Sequence, residues 1–242
     1  MTIRLNDTLL QNFMSGFYGS GNLLGDYWFV GMEEGGGNDL DQVTKRVNAW
    51  VELGRTELVD ICEFHLKINF PYYFKDPVKL QKTWMQQARI VLTSRGLSSS
   101  MEDVRTYQRD VIGRKNGETC LLELLPLPSP SSNIWNYGIW SDLPFLKDRK
   151  AYRGYGVPWR AEHIRSRIEE HRPKIVVFMG HGYFDYWKNI AGQDLKFDEK
   201  GGFWARSSGG TTYVIAKHPA AQGITNSYFE NVGRFLSETS KS

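Results

Sequence analysis

Cysteine is scarce in this chain. Only Cys62 and Cys120 occur among 242 residues, far apart and without paired spacing. That excludes a disulfide scaffold and leaves no cysteine set for a zinc or iron–sulfur site, so no metal and no other cofactor is expected. Long apolar runs are also missing: no stretch approaches the roughly 18 residues of a membrane span. The first residues, Met1-Thr-Ile-Arg-Leu-Asn-Asp, lack the apolar core of a secretory signal. A cytoplasmic protein with no membrane partner is therefore expected. Neither sign of charge is in excess. The net charge is only +3, so any nucleic-acid surface must come from clustering rather than from the total. No Gly-x-Ser-x-Gly elbow is present, which counts against an α/β hydrolase.

What is present is a chain rich enough to fold, with 40% hydrophobic and 14% aromatic residues, and long enough for one large domain spanning 1–242. Short apolar runs predict strands at Tyr27 to Val30, Thr119 to Leu125, Lys174 to Met179 and Thr211 to Ala216. Apolar spacing and capping residues predict helices over 7–17, ended by Gly19 and Gly21, and over 39–53, 58–66, 78–92 and 101–112. Three more follow over 158–171, 180–190 and 226–236, with Pro158 in the first turn of its helix. Pro126, Pro128 and Pro130 close the second strand, and 129–156 reads as a long irregular stretch. Alternating strands and helices predict a three-layer α/β/α sandwich around a central, mainly parallel four-stranded sheet.

Three of these strands end in unusual chemistry. The segment Gly25 to Gly37 runs from a strand into Glu33 and Glu34 and then into three glycines. Glu123 sits inside the apolar run Leu-Leu-Glu-Leu-Leu, and His218 follows the last strand. In a parallel sheet the carboxyl ends share one edge, so these groups can meet in one crevice. An acid in an apolar strand is paired, desolvated at a cost, or aimed at a ligand. The alternatives are an edge-strand acid facing water, a solvated turn that carries acids, and a capping histidine.

In this order and pattern the chain resembles the uracil-DNA glycosylase superfamily. The family's first motif, a strand followed by Gly, any residue, Asp or Asn, Pro, then Tyr or Gly, corresponds to Gly31-Met32-Glu33-Glu34-Gly35. The family's second strand carries a base-reading Asn followed by prolines, matched by Glu123 and its proline run. Its His-Pro-Ser motif is matched by His218-Pro219-Ala220. The resemblance implies a monofunctional DNA glycosylase with Glu33 and His218 as catalytic residues. Glu33 would position water and stabilise the sugar cation, and His218 would donate to the departing base. It further implies a base pocket of Glu123, Phe70, Gly31, Met32, Glu34 and Gly35, with Gln222 as a wedge into the gap left by the flipped nucleotide.

The departures point to the substrate. Glu34 and Ala220 replace the usual Pro and Ser, which puts ordinary uracil removal in doubt. Glu123 replaces an amide that both donates and accepts. An ionised carboxyl only accepts, which suits cytosine's exocyclic amine. Gly35 stands where strict uracil enzymes crowd the 5-position with a tyrosine. Together these imply a cytosine modified at that carbon, as in the anti-phage branch of the superfamily that excises glucosylated hydroxymethylcytosine. Phage DNA is then the expected partner and a monomer the expected state. Arg149, Lys150, Arg153, Arg160 and Lys217 are candidate phosphate contacts, interleaved with aromatics. A solvated helix face is the alternative for the basic run. Trp135, Asn136 and Tyr137 either wall a sugar pocket or pack a loop. Rival readings are a uracil-type enzyme with Glu123 protonated and a catalytically silent nucleic-acid-binding module.

Overall fold

The computed structural model describes residues 4–131 and 133–239. In chain order its helices and strands are α1 (Asp7–Gly16), β1 (Gly19–Gly21), β2 (Tyr27–Gly35), α2 (Leu40–Glu52), β3 (Leu58–Val59), α3 (Ile61–Lys67), α4 (Lys82–Ser94), α5 (Met101–Asp110) and β4 (Thr119–Ser129). They continue with α6 (Tyr137–Trp140), α7 (Arg149–His171), β5 (Ile175–Met179), α8 (Phe184–Ala191), β6 (Lys196–Asp198), β7 (Phe203–Ser208), β8 (Thr211–Ala216) and α9 (Asn226–Thr239). Helices cover both faces of one sheet, as expected, but that sheet is larger and more mixed than four parallel strands. It has eight strands in the order β3-β1-β4-β2-β5-β8-β7-β6. The central four, β4-β2-β5-β8, are parallel, whereas β1 runs antiparallel to β4 and the β6-β7-β8 meander is antiparallel.

Strand β2 is buried on both faces, as a central parallel strand requires. Trp28, Val30 and Met32 join the core shared with α1, α2, α7 and α8, and Phe29 joins the core shared with α4, α5 and α9. Among the described residues no helix is long and apolar enough to cross a membrane.

Four local expectations are corrected. Gly19 and Gly21 do not simply end a helix; they form β1. A Cβ on Gly19 would lie 1.9 Å from the Leu121 carbonyl oxygen, and one on Gly21 2.2 Å from that of Thr119. The bare backbone is what permits pairing with β4. Residues 58–66 are not one helix: Leu58–Val59 pair with β1, and Asp60 caps α3 by accepting from the Cys62 and Glu63 N–H groups. Strand β4 continues through Pro126 and Pro128. Strand β1 flanks it only as far as Leu122, so beyond that point one side of β4 has no neighbouring strand and missing donors are tolerated. The Leu127 N–H donates instead to the Tyr152 hydroxyl.

The fourth correction is α7, which begins nine residues before Pro158, at Arg149. Asp148 caps it by accepting from the Ala151 N–H at 2.8 Å, and Pro158 lies in its interior. Gly156 lets this helix close on β4, since a Cβ there would stand 2.9 Å from Leu125 Cδ2. The turn also carries Arg160 inward. At 1% exposure its guanidinium donates to the carbonyls of Leu124, Met14, Phe17 and Glu123 at 2.6 to 3.0 Å. Two of those carbonyls, Met14 and Phe17, belong to the end of α1, where helical acceptors lack partners of their own. Arg160 is thus a structural tie between α1 and β4, with no face left for phosphate. Arg160→Ala is expected to lower the unfolding free energy by about 3 kcal/mol, because buried acceptors are left unsatisfied. Urea unfolding checks this, and an unchanged midpoint would contradict it.

Candidate active site

The four parallel strands point the same way, so their carboxyl ends open onto one edge. A cleft of about 920 Å³ lies there. Gly31 to Gly35 of β2 line it, together with Glu123 and Ser129 of β4, Gly180 after β5, and Lys217 and His218 after β8. The side wall is built by Arg46 of α2, His65 of α3, the aromatic loop Phe70, Tyr72 and Tyr73, and Trp84 and Gln87 of α4. The groups expected at three strand ends thus share one space, and Phe70 joins them.

Each of the three acids meets a different environment. One oxygen of Glu33 accepts from the Arg149 guanidinium, and both side chains are nearly buried, at 12% and 13% exposure. Its second oxygen, Oε2, is buried with no hydrogen-bond partner. Burial raises the Glu33 pKa, and Arg149 and Arg153 oppose that rise without cancelling it. Glu34 is held on both oxygens by Arg46, at 3.2 and 3.3 Å, with His65 Nε2 4.0 Å away. Burial would push Glu34 up, but Arg46 and His65 overcome it and hold the carboxyl below its usual range.

Glu123 is the exception. Its Oε2 is buried without a partner and lies against Gly31, directly opposite in the pairing register. A Cβ on Gly31 would come within 2.4 Å of that oxygen. Burial first, then the nearby Glu34 and Glu33 charges, raise the Glu123 pKa to about 8. The shift favours the neutral acid at pH 7, a form that both donates and accepts. The ionised form, on which the expectation of an acceptor-only carboxylate rests, is the one this shift disfavours.

His218 Nδ1 accepts from the Ala220 N–H at 3.0 Å. The residue is exposed overall, but partial desolvation of the ring and then the Lys82 charge lower its pKa, so the ring is neutral and Nε2 carries the proton as a donor. Gly35 has nothing within 4 Å of an added Cβ, which leaves the cleft open at that corner, and Met32 forms part of its buried wall.

The expected DNA contacts divide. Lys150, Lys217 and Gln222 are exposed. Arg153 is half-buried, its guanidinium 5.8 Å from the Tyr183 ring centre. Arg149 is not a free phosphate ligand: besides Glu33 it donates to Ser129 Oγ and to the Ser131 and Ile134 carbonyls, pinning the loop after β4 to Glu33. Trp135, Asn136 and Tyr137 do not line the cleft. Trp135 Nε1 donates to the Leu146 carbonyl, the Tyr137 hydroxyl donates to that of Pro128, and both rings pack as part of the core. Of the two readings of that segment, loop packing matches the geometry.

Arg46, His65 and Gln87 were not anticipated. Arg46 sits between Val43, Val47 and Trp50 on the apolar stripe of α2, a spacing that marks a buried cation. Among the described residues seven buried side-chain polar atoms lack a hydrogen-bond partner. Four of them line this cleft: Glu33 Oε2, Arg46 Nη1, Gln87 Oε1 and Glu123 Oε2. Such atoms are rare in folded proteins, and each requires a polar partner such as water or a ligand. Among the described residues no group of three or more His, Cys, Asp or Glu is disposed to hold a metal ion.

The Glu123 shift has a thermodynamic consequence. Between the ordinary carboxyl pKa of 4.5 and about 8, the folded chain keeps a proton that the unfolded chain releases. Stability therefore falls as pH rises through this window and levels off above it. Glu123→Gln does not titrate, so its stability relative to the native chain should rise by a few kcal/mol between pH 5 and 9. Urea unfolding of both proteins across that range measures this, and parallel pH curves would contradict a neutral Glu123.

No protein-family model matches this chain, and no curated protein matches it.

Proposed function

We propose that this protein is a monofunctional DNA glycosylase that hydrolyses the bond between a flipped, 5-modified cytosine and its deoxyribose. The observation that carries the reading is the meeting of Glu33, Glu123 and His218 in one cleft. The base enters over Phe70, leaving the duplex to do so. The unpartnered Oε2 of Glu33 takes the attacking water and faces the positive charge that develops at the anomeric carbon. His218, neutral and protonated at Nε2, donates to the base carbonyl as the bond breaks. Glu123 presents its carbonyl oxygen to the exocyclic amine of cytosine and its hydroxyl to N3. The open corner at Gly35 admits a group on the neighbouring carbon, such as the glucosylated hydroxymethyl of phage DNA.

One observation favours a second reading. A neutral Glu123 also complements uracil, accepting from its N3–H and donating to its O4, as an amide does. The edge contacts alone therefore do not separate the two bases, and the choice of a modified cytosine rests on the space at Gly35.

Duplexes carrying uracil, cytosine, hydroxymethylcytosine or its glucosylated form, treated with protein and then alkali, separate the readings. Strand cleavage at modified cytosine alone is expected. Cleavage at uracil alone would support the second reading, and binding without cleavage on every duplex would leave a silent module. Glu33→Ala should cut the single-turnover rate by about 10²- to 10³-fold while leaving duplex affinity intact. An unchanged rate removes Glu33 from the reaction.

A further inference from the structure

Three carboxyls share the cleft, and two cationic side chains are bonded to them. Arg149 holds Glu33 and Arg46 holds Glu34. Among the described residues Glu123 has no such partner. Arg160 is the cation that acts on it, but that guanidinium is bonded to four backbone carbonyls, Glu123's own among them. The groups that face Glu123 are Glu33 and Glu34 from β2 and Arg160 from α7. Arg46, His65, His181, Lys217 and His218 stand elsewhere around the same space. Arg46 and His65 lie against Glu34, and His181 is bonded to the Ile215 carbonyl. The Oε2 of Glu123 is buried without a hydrogen-bond partner beside the bare Gly31 backbone, and Glu123 lines the cleft.

We infer that Glu123 is the general acid of the reaction, transferring its proton to N3 of the departing cytosine. The inference rests on the glycosylase reading and deepens it. Uracil already carries a proton at N3 and leaves as an anion spread over two carbonyls. Cytosine has one carbonyl and an unprotonated N3, so it is the poorer leaving group unless a proton arrives there. As the C1′–N1 bond breaks, its electron pair passes to the base, the Glu123 O–H bond breaks and an N3–H bond forms. Water attacks C1′ and gives its proton to Glu33. Glu33 ends neutral and Glu123 ionised, so only one of these two acids carries charge at each stage. When the base has left, the proton on Glu33 is released to solvent and Glu123 takes one up, which restores the starting state. A donor with a pKa near the working pH is the efficient one, and burial beside two acids sets Glu123 at about 8.

Glu123→Gln tests this, because an amide keeps the donor and acceptor contacts but has no proton to transfer. With a modified-cytosine duplex the single-turnover rate should fall about 10²- to 10⁴-fold while affinity for the duplex is kept. The native rate should decline as pH rises past about 8. That decline should be absent in Glu123→Gln and retained in Glu123→Asp, which still carries a transferable proton. Circular dichroism establishes that each variant is folded. Equal rates for the native protein and a folded Glu123→Gln would overturn the assignment while leaving the glycosylase reading intact. No base release by the native protein on any duplex would overturn both.

Discussion

The pairing of β2 with β4 is the constraint on which the rest of the structure depends. It brings Gly31 opposite Glu123, and the absence of a side chain on Gly31 is what leaves room for the Glu123 carboxyl beside it. Shifted by one residue, the same pairing would turn Glu123 to the opposite face of the sheet, against the core of α1, α2, α7 and α8. Two residues further along β2 the pairing brings Glu33 opposite Leu125, where Arg149 reaches it from α7. Both acids therefore owe their positions to backbone hydrogen bonding and not to flexible loops, which suits groups that must be held to a fraction of an ångström.

The electrostatics follow from this geometry. Each carboxyl in the cleft loses hydration, and each is compensated to a different extent. Arg46 overcompensates Glu34, Arg149 and Arg153 partly compensate Glu33, and Glu123 is left to take up a proton. Acids whose environments drive their pKa values apart are suited to separate acid and base duties in one reaction. The loop after β4 belongs to this arrangement, because Arg149 ties its Ser131 and Ile134 carbonyls to the group that bears Glu33.

The strand ends were legible from sequence because each apolar run stops at a residue with chemistry of its own. Glu33, Glu123 and His218 could be brought to one edge from the alternation of strands and helices alone. The extra strands were not legible. Gly19 and Gly21 read as a helix stop because nothing local reveals the β4 carbonyls that press on them. Pro126 and Pro128 read as terminators because whether a strand side has a neighbour is a property of the sheet. The arginines misled for a related reason. Arg149 and Arg160 sit in a basic, aromatic run that resembles a phosphate-binding surface, yet the turn of α7 directs both inward. Their partners are carbonyls and one carboxyl supplied by distant segments. The ionisation of Glu123 was hidden in the same way, since it depends on Glu33, Glu34 and burial acting together.

A co-crystal structure with a duplex carrying a modified cytosine on a 2′-fluoroarabino sugar, which resists cleavage, tests the central claim most directly. The account requires the base to be out of the helix and within the cleft, its N3 and exocyclic amine on Glu123 and its anomeric carbon facing Glu33. A duplex bound across another face, with the base stacked and the cleft unvisited, would contradict it.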